Sequence, residues 1–496
     1  MISPKRARHG RLAAALAAVG IASAAGCAPD LTLEQKSGAT GTGGGSSSSG
    51  TSSAGGIGGG TSGSGGDVTG GVPLSSYGFG DSSDQTAEGL AAGPDGSVLL
   101  IGQFAGSIDF GQGPLLSAGA EDVVVARFDA QGNPIFSLRF GDSAPQLAHA
   151  IASKSDGGAV IAGELAGAVD FAGKTISSTG GMDAFLAAVD EGGAPQWLKV
   201  FGDSGYQTAT AVTIDVEGNI LVAGYFSGSI DFGGQPLKSA GGYDGFVAKL
   251  DKNGKRIWSL RFGDEHDQRA TGIAVDAKGD VLVIGELAGT ADLGSGPLTS
   301  VGGDDLLVAK IGTEGKIAWA KRFGDAGAQA GRSIAADADG HVVFAGESSG
   351  PIDFGGGSII VGSEGALFVA ALDAEGKHVW SKGFERQGEA SIRSLAVGGN
   401  DAVLLTGEIA GSVDFGGGLR TSSGAEDAFV TSLDAMGRFL WDNLSGDAES
   451  QRGRATVMDT QGRAVVAGQF AGSIDLGDNP LMSAGGKDVF LARFTF

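Results

Sequence analysis

The sequence predicts an all-β fold, a seven-bladed β-propeller of 61-residue repeats closed by an N-terminal strand that completes the last blade. Three observations carry that prediction. The stretch Gly106-Ser107-Ile108-Asp109-Phe110-Gly111 returns around Asp170, Asp231, Asp292, Asp353, Asp414 and Asp475, always 61 residues on. A period that never slips marks a repeat architecture. Each copy holds four main strand-length runs separated by turn residues, and no segment keeps helical spacing over ten residues. The ends are complementary: the seventh copy reaches Phe496 without a fourth run, and Leu74–Asp81 aligns with Arg139-Phe140-Gly141-Asp142 at the end of the first copy's fourth run. A ring closed in this way leaves no open sheet edge.

Residues 1–26 read as a signal peptide. Lys5, Arg6, Arg8 and Arg11 precede the apolar run Leu12–Ala22, which is too short to span a bilayer as a mature helix. Ala24-Ala25-Gly26-Cys27 resembles a bacterial lipobox. That resemblance implies lipid attachment at Cys27, the sole cysteine, and sorting to the outer membrane, because Ala28 rather than Asp follows. Ordinary secretion with cleavage after Ala22-Ser23-Ala24 is the alternative. With one cysteine no intrachain disulfide can form. Residues 27–72 are dominated by Gly, Ser and Thr and cannot bury enough apolar surface to order themselves, so they read as a flexible tether.

Residues 73–496 carry the repeats. In the first copy Glu88–Ala92, Val98–Phe104, Asp122–Asp129 and Ile135–Phe140 are the four runs, with turns at Pro94-Asp95-Gly96 and Gln131-Gly132-Asn133. The middle runs are apolar on both faces, as covered strands require. The Ser-Ile-Asp-Phe-Gly stretch and the segment after it read as an extra β-hairpin between the second and third strands. An aromatic (Phe136, Trp197, Trp258, Trp319, Trp380, Trp441) sits near the start of the fourth run and is assigned to packing between blades.

Segments such as Ala274–Gly285, Asp244–Asp251 and Gly254-Lys255-Arg256-Ile257-Trp258 resemble the bacterial SBBP (seven-bladed β-propeller) repeat family over residues 73–496. The resemblance implies a propeller at the cell surface. It supplies no catalytic residues, and this chain differs from the plain family repeat in its longer period.

The net charge of −23 lacks the basic face that nucleic acid requires and favours solubility. Acids recur in three series, those of Asp81, Asp109 and Asp122, interrupted only by Arg386 in the first and Ala366 in the third. They can hold a hard cation through oxygen ligands or shape loops as Asx turns, and their identity in nearly every copy favours the second. The insert hairpins and the Phe-Gly-Asp segments are expected to crowd one face, around the mouth of a central channel. Positions where the copies disagree are free of structural duty. One such position, at the start of the innermost strand, reads Glu88, His149, Thr210, Thr271, Arg332, Arg393, Arg454. His149, Arg332, Arg393 and Arg454 are therefore the candidate ligand-binding residues, able to hold a carboxylate or another anion, unless the arginines pair with rim acids.

No catalytic set, metal site or cofactor is expected. Gly346-Glu347-Ser348-Ser349-Gly350 fits the G-x-S-x-G pattern, but other copies carry an apolar residue in place of the serine and no helix follows. Glu164, Glu286, Glu347 and Glu408 share one repeat position with Gln103, Tyr225 and Gln469, so charge is dispensable there. The expected function is that of a cell-envelope lipoprotein, anchored by its lipid to the outer membrane. Its monomeric propeller binds or scaffolds a protein or polysaccharide. The alternative is a glycan hydrolase or lyase with its site at the channel mouth.

Overall fold

The computed structural model describes residues 70–360, 362–477 and 479–496. The expected signal segment, Cys27 and all but the last three residues of the tether lie outside them. The described residues are all-β, with no helix among them.

The first copy forms an antiparallel sheet in the order Gln85–Ala92, Val98–Phe104, Asp122–Phe128, Pro134–Phe140. Its two middle strands are buried at every residue. Their side chains alternate between the faces, so both faces must be covered. The same four-strand order recurs along the chain. The first strands contact one another in a cycle: Gln85–Ala92, Gln146–Ser153, Gln207–Ile214, Gln268–Val275, Gln329–Ala336, His378–Val397, Gln451–Met458, and back to Gln85–Ala92. Sheets repeated radially about their inner strands make a β-propeller. Pro73–Phe79 pairs antiparallel with Asp488–Phe494, Phe79 opposite Val489, so the outer strand of the last sheet comes from the other end of the chain.

The Ser-Ile-Asp-Phe-Gly stretch joins neighbouring sheets. Ile108 and Phe110 are buried. The ring of Phe110 lies 4.8 Å from that of Phe79 on the preceding outer strand, and Phe171–Phe140, Phe232–Phe201, Phe354–Phe323 and Phe415–Phe384 repeat the contact at 4.8–5.3 Å. The exposed Asp109 Oδ1 accepts the N–H groups of Gly111 at 2.7 Å and Gly113 at 3.0 Å, an Asx turn that recurs at Asp292, Asp353 and Asp414.

The hairpins depart from the expected placement. As at Ala168, Thr290 and Ser473, the first hairpin begins at the Phe-Gly-Asp face, where Ser107 N–H donates to Asp81 at 2.8 Å. It then runs along the outermost strand towards the opposite end, where Gln112 donates to Pro134 O at 2.9 Å. The buried Ile and Phe of the stretch dictate this, because their partners are on the outer strands. The hairpins therefore do not surround the channel.

The aspartates of the other two series build a clamp with a glutamine. Gln146 Oε1 accepts from Asp142 N–H at 2.9 Å, and its amide donates to Asp142 Oδ1 and Ala166 O, both at 2.8 Å. Asp142 also accepts from the N–H groups of Ala144 and Ala168. Burial opposes its charge, but these bonds together hold its pKa below the ordinary value. Behind the clamp lies a buried aspartate: Asp122, Asp183, Asp244, Asp305, Asp427 or Asp488. The glycine between must be bare. A Cβ on Gly202 would stand 2.3 Å from Gln207 Oε1 and 2.5 Å from Asp183 Oδ1.

At one junction every member of the clamp is replaced: Glu385, Arg386, Ala366 and Ala390 stand where the glycine, the two aspartates and the glutamine would be. There the chain does not turn. His378–Val397 runs as one 20-residue strand through two four-strand units and fuses them into an eight-stranded sheet. The Arg386 guanidinium donates to Glu364 O at 2.6 Å and Ala390 O at 2.7 Å, taking over the bridging role.

The aromatics at the fourth strand meet the next sheet, as expected. The indoles of Trp258 and Trp319 donate to Thr313 O and Ala374 O across the gap, each at 2.9 Å.

Two outcomes follow for stability. Phe171→Ala should destabilise the protein by about 3–5 kcal/mol, because it empties an inter-sheet contact; urea unfolding measures this. Asp427 Oδ2 accepts from Ser423 N–H, but the buried Oδ1 has no donor, and burial raises the pKa. A raised carboxyl favours the fold in its neutral form, so its contribution is full below the unfolded pKa and is lost as pH rises through the folded one. Asp427→Asn supplies an amide that can donate to Gln451 Oε1. It should stabilise the protein by about 1–2 kcal/mol at pH 7, with the gain vanishing towards pH 3. Unfolding midpoints across that range check both sign and window.

Candidate functional site

The position chosen from the sequence has a structural identity. In every copy the register of the innermost strand slips by one residue there: between Ala87 and Gly89, Ala148 and Ala150, Gly331 and Ser333, Ile392 and Ser394, and Gly453 and Ala455 among them. Glu88, His149, Arg332, Arg393 and Arg454 are thus the extra residues of β-bulges, left out of the ladder and free to aim their side chains elsewhere. All five line a cavity of about 420 Å³ at the centre of the ring, together with Thr271. Thr210 and Thr271, at the same position, donate instead to Ala270 O and Gly331 O of the neighbouring sheet at 2.8 and 2.7 Å.

The structure gives the arginines different partners. Arg332 lies between Glu286 at 3.3 Å and Glu347 at 3.4 Å. Arg393 donates to Glu408 through Nε at 2.8 Å and also through Nη2. Their partners are the second-strand glutamates rather than the rim aspartates. Burial raises the pKa of Glu286 despite Arg332 and Arg269. His149 Nε2 is 3.7 Å from Glu164 Oε1. Burial opposes the charge of Glu164 too, but contacts from His149, Tyr206 and Thr208 outweigh it and lower the pKa.

Arg454 differs. Its partner position, fifteen residues on as in Arg332–Glu347 and Arg393–Glu408, is filled by the neutral Gln469. Arg454 has no carboxylate partner among the described residues, and its buried Nε has no hydrogen-bond acceptor. Gln469, 2% exposed, leaves its Oε1 without a donor. The cavity wall therefore holds one guanidinium without a direct ion pair, and the Glu88 carboxylate lines the same cavity.

Some features eluded the sequence. Tyr206, Tyr225 and Tyr243 come together with ring centroids 5.3–6.1 Å apart. They occupy three positions of one copy, and the next copy has Asp267, Glu286 and Asp304 there. All three are positions where the copies disagree, and Tyr225 shares its position with Gln103 and Glu164. The Ser348 hydroxyl is buried and donates to Gly350 O at 2.5 Å. Among the described residues no group of three or more His, Cys, Asp or Glu side chains is placed to hold a metal.

No family model matches the chain. Over 207 residues, 39% of its length, it is 27% identical to Regulatory protein FlaEY of Caulobacter vibrioides, of which it covers 21%. In structure it is similar to a protein of unknown function from Dyadobacter fermentans (11% identity, TM-score 0.41, 86% of this chain and 98% of the other). It is also similar to an ulvan lyase of polysaccharide lyase family PL25 (12%, 0.41, 83% and 97%). A third similarity is to the β-propeller domain of the Trilobed protease from Pyrococcus furiosus (8%, 0.39, 82% and 92%).

Proposed function

We propose that the chain is a seven-bladed, SBBP-type β-propeller of 61-residue repeats that acts as a binding or scaffold module of the cell envelope. It is held to the outer membrane by a lipid on Cys27 through the tether over residues 27–72. The partner is a polysaccharide or protein bearing an anionic group, taken at the channel mouth. The observation that supports this most is Arg454, a cavity-lining cation with no carboxylate partner beside two arginines that have theirs. A partly desolvated guanidinium is a ready partner for a carboxylate, and Arg332, Arg393 and His149 flank it in the same cavity.

The module is read as non-enzymatic. A glycan hydrolase or lyase at the same mouth is the second reading. Glu164, with His149 and Tyr206 as neighbours, favours it as a site of titratable groups, and release of shortened oligosaccharides would favour it over binding alone.

Two experiments test the proposal. Titrating the full chain with a hexauronate oligosaccharide should show saturable binding that weakens with salt. Arg454→Ala should reduce the affinity about tenfold or more; an unchanged affinity overturns the assignment. Growth with a palmitate analogue should label the wild-type chain and leave Cys27→Ser unlabelled. An unlabelled wild type overturns the anchor.

A further inference from the structure

Tyr206, Tyr225 and Tyr243 do no work that the blade requires, because no other copy has an aromatic residue at any of the three positions, which elsewhere hold residues as different as Glu, Lys, Pro and Gly. They are nevertheless three of the four tyrosines in the protein, gathered in one half-buried cluster. Aromatic surface concentrated at dispensable, half-buried positions points to a ligand.

The charges around the cluster narrow its class. The Arg269 guanidinium lies 5.4 Å from the centroid of Tyr225 and 5.5 Å from that of Tyr243. The cation position over those rings is therefore already filled, which disfavours a cationic ligand. Arg269 is itself neutralised by Asp267 at 2.8 Å and Glu286 at 3.8 Å. Glu164 lies against Tyr206 on the other side. The net acidic surroundings disfavour an anion. What remains is a neutral ligand with an apolar face for the rings and an edge of hydroxyls for the Arg269 and Asp267 head groups.

We propose that Tyr206, Tyr225 and Tyr243, with Arg269 over two of the rings and Asp267 paired to it, form a platform on whose remaining ring surface a pyranose of a neutral glycan packs. The proposal rests on the binding-module reading but uses a different part of the face from the Arg454 cavity. The test separates the two, since a neutral oligosaccharide offers no anion to Arg454.

The full chain is titrated calorimetrically with cellohexaose, xylohexaose and chitohexaose. At least one should bind with a Kd of about millimolar or below. Tyr225→Ala and Tyr243→Ala should each weaken it about tenfold, and Tyr225→Phe should keep most of the affinity. In saturation-transfer NMR on the unmutated protein, irradiation of aromatic protons should transfer to the sugar's ring C–H protons, a readout that needs no variant to fold. Absence of binding by all three sugars overturns the proposal. So does wild-type affinity in correctly folded alanine variants, or absence of transfer to the bound sugar.

Discussion

The structure depends on sheets that cannot be left uncovered. In each four-stranded unit the two middle strands are buried at all or nearly all their residues, so each sheet has two apolar faces and needs a neighbour on both. A row of such sheets would end in an exposed face at each side. A cycle does not, and the contact between Gln451–Met458 and Gln85–Ala92 completes it. The hairpin phenylalanines reinforce the same contacts from outside, each set on an aromatic of the preceding outer strand.

This division of labour separates scaffold from site. Hydrophobic residues and the Asp–Gln clamps, repeated in nearly every copy, hold the sheets. The bulges in the innermost strands then place one residue per copy where the ladder makes no demand on it, and chemistry is free to vary there. The altered junction at Arg386 shows how tightly the clamp is coupled. Glycine, glutamine and both aspartates disappear together, because a side chain at the glycine position is admissible only once the oxygens that would strike it are gone.

Much of this was legible in the sequence because repetition multiplies a weak signal. One Asp-Phe-Gly turn means little, whereas the same turn every 61 residues locates strands, turns and the complementary ends. The variable position of His149 and Arg454 was legible for the same reason, by contrast with its constant neighbours. The course of the hairpins was not, because their direction is set by tertiary partners of Ile108 and Phe110 far along the chain. Nor was the pairing of Arg332 and Arg393 with Glu286, Glu347 and Glu408, which depends on how neighbouring sheets are rotated about the axis. The tyrosine cluster unites three separate positions within one repeat, and only the folded sheet brings Tyr206, Tyr225 and Tyr243 to one point.

The pairing of Pro73–Phe79 with Asp488–Phe494 also bears on kinetics. The Val72 N–H bonds the Thr495 hydroxyl across 423 residues of sequence. Contacts of such separation carry a large loop-closure entropy, and non-local β pairing folds slowly. During synthesis the strand Pro73–Phe79 is made early yet has to wait for the last strand before it can pair. Until then both carry unsatisfied edges open to other chains. Completion of the last sheet is thus the natural late step of assembly, and the partly closed ring is the species most exposed to aggregation.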